Sequence, residues 1–125
     1  VMTQRTDQVA ATLKRAVQEV LSRGLADPRV RGLITVTRIE VTADLADAKV
    51  YVSVIPVEHE ELSMHGLRAA ATWIRREAAE RVRLRRMPRL TFKVDQDLRR
   101  QQDVLAGIQE ARLEDERRAR SKKKE

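Results

Sequence analysis

Cysteine is absent from the 125 residues of this chain. That excludes disulfides, thiolate nucleophiles and cysteine-ligated metals, and it suits a reducing, cytoplasmic address. Aromatic side chains are almost as scarce, with Tyr51, Trp73 and Phe92 the only three. Val, Leu, Ile and Ala must therefore fill the interior, and a chain of this length supports one modest core plus an extension. No apolar run approaches the roughly 18 residues needed to span a bilayer, so no membrane partner is expected. The first residues also lack the basic-then-apolar layout of a secretory signal.

What the chain has in abundance is charge. Lys and Arg number 26 against 19 Asp and Glu, a net charge of +7, and the isoelectric point is near 10.5. An excess of that size in so small a protein points to a polyanionic partner, foremost nucleic acid. Catalytic and metal chemistry find little support. Asp44 and Asp47 flank a turn and read as turn chemistry, not as paired acid–base carboxylates. His59 and His65 do not share a helical face and have no third ligand, so no metal site and no cofactor are expected.

The hydrophobic pattern gives the order of elements. Val9, Leu13, Ala16, Val17, Val20 and Leu21 recur at helical spacing, with Thr3 or Thr6 available as a cap and Gly24 as the left-handed stop. Asp27-Pro28-Arg29 then makes a turn, where Arg29 and Arg31 could touch RNA. Residues 33–42 are rich in β-branched side chains, but their apolar phase shifts between Val36 and Ile39, which signals a bulge or a twist. Residues 47–55 alternate cleanly, with Ala48, Val50, Val52 and Val54 on one face. The short turn between the two segments favours an antiparallel hairpin, which Pro56 ends.

Residues 58–85 are helical by periodicity, and only Gly66 and Thr72 weaken that pattern. Trp73 should lie half-buried within it. Pro88 forces an exit, and Leu90, Phe92 and Val94 alternate as a third strand. A last amphipathic stretch carries Leu98, Val104, Leu105, Ile108 and Leu113, after which the composition turns to charge alone. The expected organisation is a domain over residues 1–98, then residues 99–125 as an amphipathic helix and a charged, disordered tail. The fold class is α+β, with helices on one face of a three-stranded sheet.

Two surfaces concentrate cations. Projected as a helix, residues 74–86 place Arg75, Arg76, Arg83 and Arg86 within an arc of roughly 100°, with Glu77 and Glu80 outside it. Arginine's planar fork grips phosphate oxygens in pairs. On the open sheet face, Lys49, Tyr51, Arg89 and Lys93 point away from the apolar positions of their strands, and Tyr51 could stack on a base.

Residues 25–51, LADPRVRGLITVTRIEVTADLADAKVY, together with the run RLRRMPRLTF at residues 83–92, resemble the ribosome-binding factor A family. The resemblance implies a type II KH-like fold, α-β-β-α-(kink)-α-β, with an appended C-terminal helix. It also implies a monomeric, non-enzymatic bacterial assembly factor that binds small-subunit rRNA in the precursor small ribosomal subunit, aids its late maturation and rRNA processing, and is released with help from a maturation GTPase. An ordinary KH domain clamps single strands with a Gly-x-x-Gly loop, and none of Gly24, Gly32, Gly66 and Gly107 has that spacing. The family replaces the loop with a helix kink at an Ala-x-Gly element, which falls here on Ala70, Ala71 and Thr72. Thr stands in the glycine position, and its hydroxyl can cap the following helix.

Three other roles remain open on the residues alone. One is a generic KH-like nucleic-acid-binding protein without a ribosomal role. Another is a nucleic-acid-processing enzyme, which would need clustered carboxylates that the sequence does not offer. The third is a protein–protein adaptor working through the C-terminal helix.

Overall fold

The computed structural model describes residues 4–123. Helix α1, Gln4–Ser22, buries Ala10, Leu13, Ala16, Val17 and Val20, the stripe that the helical spacing marks. Thr6 lies inside the first turn and is buried, so it does not cap the helix; Thr3 falls outside the described residues. Gly24 ends the helix at φ +86°, a left-handed conformation glycine adopts without steric cost, and its N–H donates to the Leu21 carbonyl at 3.1 Å.

The turn that follows is held by one acid. Asp27 accepts the backbone N–H of Arg29 at 2.9 Å and its guanidinium at 2.6 Å. These bonds, the side-chain one foremost, lower the Asp27 pKa to about 2 from its ordinary 3.8. A depressed carboxylate pKa stabilises the folded turn above the unfolded value and loses that effect as pH falls through the folded one. The expected outcome is a turn intact at pH 5 that loosens between about pH 4 and pH 2. An NMR titration of the Asp27 carboxyl checks it; an inflection near the ordinary value would refute the pairing.

Strands β1, Leu33–Val41, and β2, Asp47–Ile55, pair antiparallel from Leu33↔Ile55 to Val41↔Ala48. The register slips between Val36 and Arg38, so the phase shift is a bulge, with Thr37 the extra residue. Its hydroxyl donates to Asp95 Oδ2 at 2.6 Å and lies 3.2 Å from the Tyr51 carbonyl. The hairpin turn carries Leu45 at φ 60° and is closed by Asp44, which accepts from the Thr42 hydroxyl at 2.6 Å. Strand β3, Arg89–Val94, lies parallel to β2 in the order β1-β2-β3.

Between β2 and β3 come a short 3₁₀ turn, Val57–His59, and helices α2, Glu60–Ala69, and α3, Ala71–Ala79. The two helices are separated at Ala70, whose φ and ψ are −92° and 4°. No side chain caps α3, and Ala70, not Thr72, holds the N-cap position. The break needs no glycine, because the Ala70 N–H still reaches the Gly66 carbonyl and its own carbonyl still accepts from Ile74.

Gly66, a weak point by propensity, is a packing device. A Cβ there would meet Val30 Cγ2 at 2.5 Å, so its bareness lets α2 sit directly on the turn before β1. The Ser63 hydroxyl joins the same contact, accepting from the Arg31 N–H at 3.1 Å and donating to its carbonyl at 2.9 Å. Gly66→Val is expected to cost about 1–3 kcal/mol through overpacking, read by urea unfolding; an unchanged midpoint would contradict the contact.

The helix predicted to continue through Arg85 stops at Ala79. Its end is fixed by side chains that periodicity does not weigh. The Arg81 N–H turns to the Ala78 carbonyl, while Arg81 Nη1 takes the Glu77 carbonyl at 2.7 Å, satisfying a helix-end acceptor. Arg81 also pairs with Glu19 of α1 at 3.4 Å. The four arginines therefore do not form a ridge along one helix: Arg75 and Arg76 lie on α3, and Arg83 and Arg86 lie in the loop after it.

The core lies between the sheet and α1 to α3, with Phe92, Leu13, Leu67, Ile74 and Val50 among the largest fully buried side chains. The chain divides after Asp95, slightly before the boundary that the pattern suggests. The second unit is helix α4, Gln96–Lys123. Its helical backbone continues past Glu114, where Glu114 and Arg118, and Glu116 and Arg120, have the i, i+4 spacing that supports an exposed helix.

Candidate nucleic-acid interface

The loop of residues 80–88 brings together the cations that a helix would have lined up. Arg75 reaches out of α3 and donates through Nε to the Pro88 carbonyl at 3.0 Å and through Nη2 to the Met87 carbonyl at 2.6 Å. Those bonds tether the end of the loop to α3, and the Arg89 N–H then joins the Ala46 carbonyl at 2.9 Å beside the hairpin turn. Arg75 is thus a strut first, with only part of its guanidinium left for a ligand.

Around this strut lie two depressions. The first, about 410 Å³, is lined by Ala46, Thr72, Arg75, Arg86, Met87 and Arg89. The second, about 310 Å³, sets Arg5, Asp44, Arg83, Arg85 and Arg86 around an apolar floor of Val9, Leu45 and Leu84. Arg86 belongs to both. Arg83, Arg85, Arg86 and Arg89 are exposed. Asp44 is the one acid among the described residues lining either depression. Its carboxyl is held below the ordinary range by the Thr42 hydroxyl, then by the Ala46 N–H, with the charge of Arg86 adding to the effect. The hairpin end of the domain is thus rich in cations, and the larger depression, polar in its lining, suits phosphate oxygens.

Arg76 lines neither depression, but it is exposed and shares a helical face with Thr72 by i, i+4 spacing. Arg5 and Arg85 escaped the sequence reading, because a helical projection put Arg85 off the arc and nothing linked Arg5 to it. The run of arginines around residue 85 was the available signal once the segment is read as a loop.

The open sheet face is less suited to an anion. In register, Lys49 sits between Glu40 and Thr91, and Tyr51 between Arg38 and Lys93. Arg38 lies over the Tyr51 ring at 3.9 Å and pairs with Glu40 at 2.6 Å, while the Tyr51 hydroxyl donates to Glu40 at 3.3 Å. Burial, followed by Glu40, raises the Tyr51 pKa above its usual value. One ring face is already covered, so a base would stack there only by displacing Arg38. Lys49 and Lys93 remain exposed. In the turn before β1, Arg29 is committed to Asp27 and Arg31 donates to the Pro28 carbonyl. Trp73 leaves 44% of its surface exposed. No three His, Cys, Asp or Glu residues come together as a metal site among the described residues. Among those residues no helix is long and apolar enough to cross a membrane.

A mixed three-stranded sheet covered on one face by α1 to α3, with α2 and α3 parted at Ala70 and arginines massed at the hairpin end, defines a KH-like domain without the Gly-x-x-Gly loop. Residues 5–108 match the family model for Ribosome-binding factor A, and this chain belongs to that family. The ribosome-binding factor A of Acetivibrio thermocellus is 41% identical over 98 residues, covering 78% of this chain and 80% of that protein. The crystal structure of ribosome-binding factor A from Thermus thermophilus has a TM-score of 0.61 at 34% identity, covering 71% of this chain and 94% of that one. Thermus thermophilus ribosome binding factor A coordinates fitted into the cryo-EM map of a 30S-RBFA complex have a TM-score of 0.57 at 37% identity, covering 67% and 88%.

Proposed function

We propose that this protein binds rRNA in the precursor small ribosomal subunit and assists its late maturation and rRNA processing. One observation carries the reading for this chain: α1, α3, the loop after it and β3 deliver six arginines to two adjoining depressions with a single acid. Family membership supplies the target, since a Thermus thermophilus relative is known in a 30S complex. Arg86 and Arg89 are the principal phosphate ligands, with Arg83 and Arg76 beside them and Arg75 holding the loop in place. Lys49, Tyr51 and Lys93 are secondary contacts, and the break over Ala70, Ala71 and Thr72 supplies the family's shape. A factor that grips an immature rRNA arrangement more tightly than the mature one shifts the population towards it until released.

On this reading the protein is a cytoplasmic monomer without enzymatic activity, and a maturation GTPase aids its release. Co-sedimentation tests it: the chain should travel with purified small subunits, not with assembled ribosomes or bulk DNA. Equal binding to all three would favour the generic KH-like reading. Binding that persists undiminished at high salt would favour the adaptor reading instead.

A further inference from the structure

The end of the domain opposite the arginines has the reverse character. Within the first unit, the described large apolar side chains left exposed are Leu33 at 66%, Leu62 at 58%, Ile55 at 50%, and Val57 and Trp73 at 44%. All but Trp73 belong to this end. Leu33 and Ile55 face each other directly across β1 and β2. Gly32 presses on the Ile55 carbonyl so closely that a Cβ would stand 2.6 Å from it. Ser63, the neighbour of Leu62, is bonded to Arg31 on the same turn. Between Val57 and Leu62 the sequence supplies Glu58, Glu60 and Glu61. Of the nearby arginines, Arg29 is neutralised by Asp27, and Arg31, which keeps its charge, turns its guanidinium back to the Pro28 carbonyl.

We propose that this apolar, glutamate-rimmed end is a docking surface for a basic protein segment bearing aliphatic side chains, carried by the same particle whose rRNA the arginines hold. Aliphatic patches flanked by carboxylates repel phosphate, so RNA is a poor occupant. A second copy of the chain is also a poor one, because a two-fold contact would set glutamates against glutamates. A cationic segment offers complementary charge at the rim and apolar anchors at the centre. The eight residue steps along β2 from Asp47 to Ile55 separate the two ends by about 26 Å, so both can be occupied at once. The protein would then bridge rRNA and a subunit protein. Only the choice of particle rests on the function proposed above.

Because the chain has no cysteine, Ile55→Cys places a single thiol on this surface for a photo-cross-linker. Bound to purified small subunits and illuminated, the labelled protein should join a subunit protein in an adduct that survives ribonuclease. An adduct lost to ribonuclease, a dimer of the chain, a link within the chain to α4, or no adduct despite binding would each overturn the inference. As a second measurement, Leu33→Ser/Ile55→Ser should bind small subunits about tenfold more weakly, yet bind naked small-subunit rRNA within about twofold of the unmodified chain. Equal loss on both, or no loss on either, contradicts it. Failure of the unmodified chain to bind small subunits would defeat the functional reading and this inference together; the other adverse results defeat the inference alone.

Discussion

Arg86→Glu/Arg89→Glu is expected to weaken binding to small-subunit rRNA by about a hundredfold or more. Each charge-assisted hydrogen bond to phosphate contributes about 1.5–3 kcal/mol, and reversing both charges adds repulsion where attraction stood. The two residues are the right pair because they line the larger depression together, while Arg86 also reaches the smaller one. Both are exposed, and the bond that holds β3 to the hairpin turn is the Arg89 N–H, which the substitution keeps. The fold should therefore persist, with an unchanged melting temperature. Filter binding over a salt series checks the mechanism: the log–log slope should become shallower by about 0.7–0.9 for each phosphate that is no longer neutralised. Affinity within threefold of the unmodified chain, with the original slope, would remove this concavity from the interface.

The largest stability effect is expected at Phe92. It is 1% exposed, pairs in register with Val50 at 0%, and is the largest fully buried side chain. Phe92→Ala should cost about 3–5 kcal/mol, the transfer of the ring plus the cavity it leaves. That is a large share of the roughly 5–15 kcal/mol that holds a domain of this size together. Urea unfolding should show the midpoint falling with the slope maintained. A cost under about 1 kcal/mol would mean that the interior collapses around the gap and is not organised on β3. The same strand opens with Arg89, so the packing of one ring positions an exposed guanidinium three residues away.

The strands and the first helix were legible because their information is local. Strict alternation over Asp47–Ile55 set β2 to the residue, and one slip in apolar phase announced an irregularity between Val36 and Ile39, which the pairing resolves as a bulge at Thr37. Gly24 and Asp27-Pro28-Arg29 announced their turns through backbone and side-chain chemistry carried by the residues themselves. The end of α3 was not legible. Val82 continues the apolar stripe, and what stops the helix is the Arg81 side chain reaching back to the Glu77 carbonyl and across to Glu19 on another element. That error put Arg83 and Arg86 on a helix face, whereas both lie in the loop, where Arg86 shares a depression with Arg89 and Arg83 lines the adjoining one. The candidate site was therefore legible as a set of residue types and not as a geometry. Nothing in the spacing distinguishes Arg75, a strut, from the exposed Arg86, because only the folded loop offers Arg75 the Met87 and Pro88 carbonyls. The role of Gly66 was equally hidden, since its neighbour Val30 is distant in sequence.

Footprinting of rRNA in purified small subunits tests the central claim most directly, comparing the unmodified chain with Arg86→Glu/Arg89→Glu at a concentration where both are folded. A discrete patch of backbone protection is expected with the unmodified chain and should disappear with the variant. Protection that is identical for the two would contradict it.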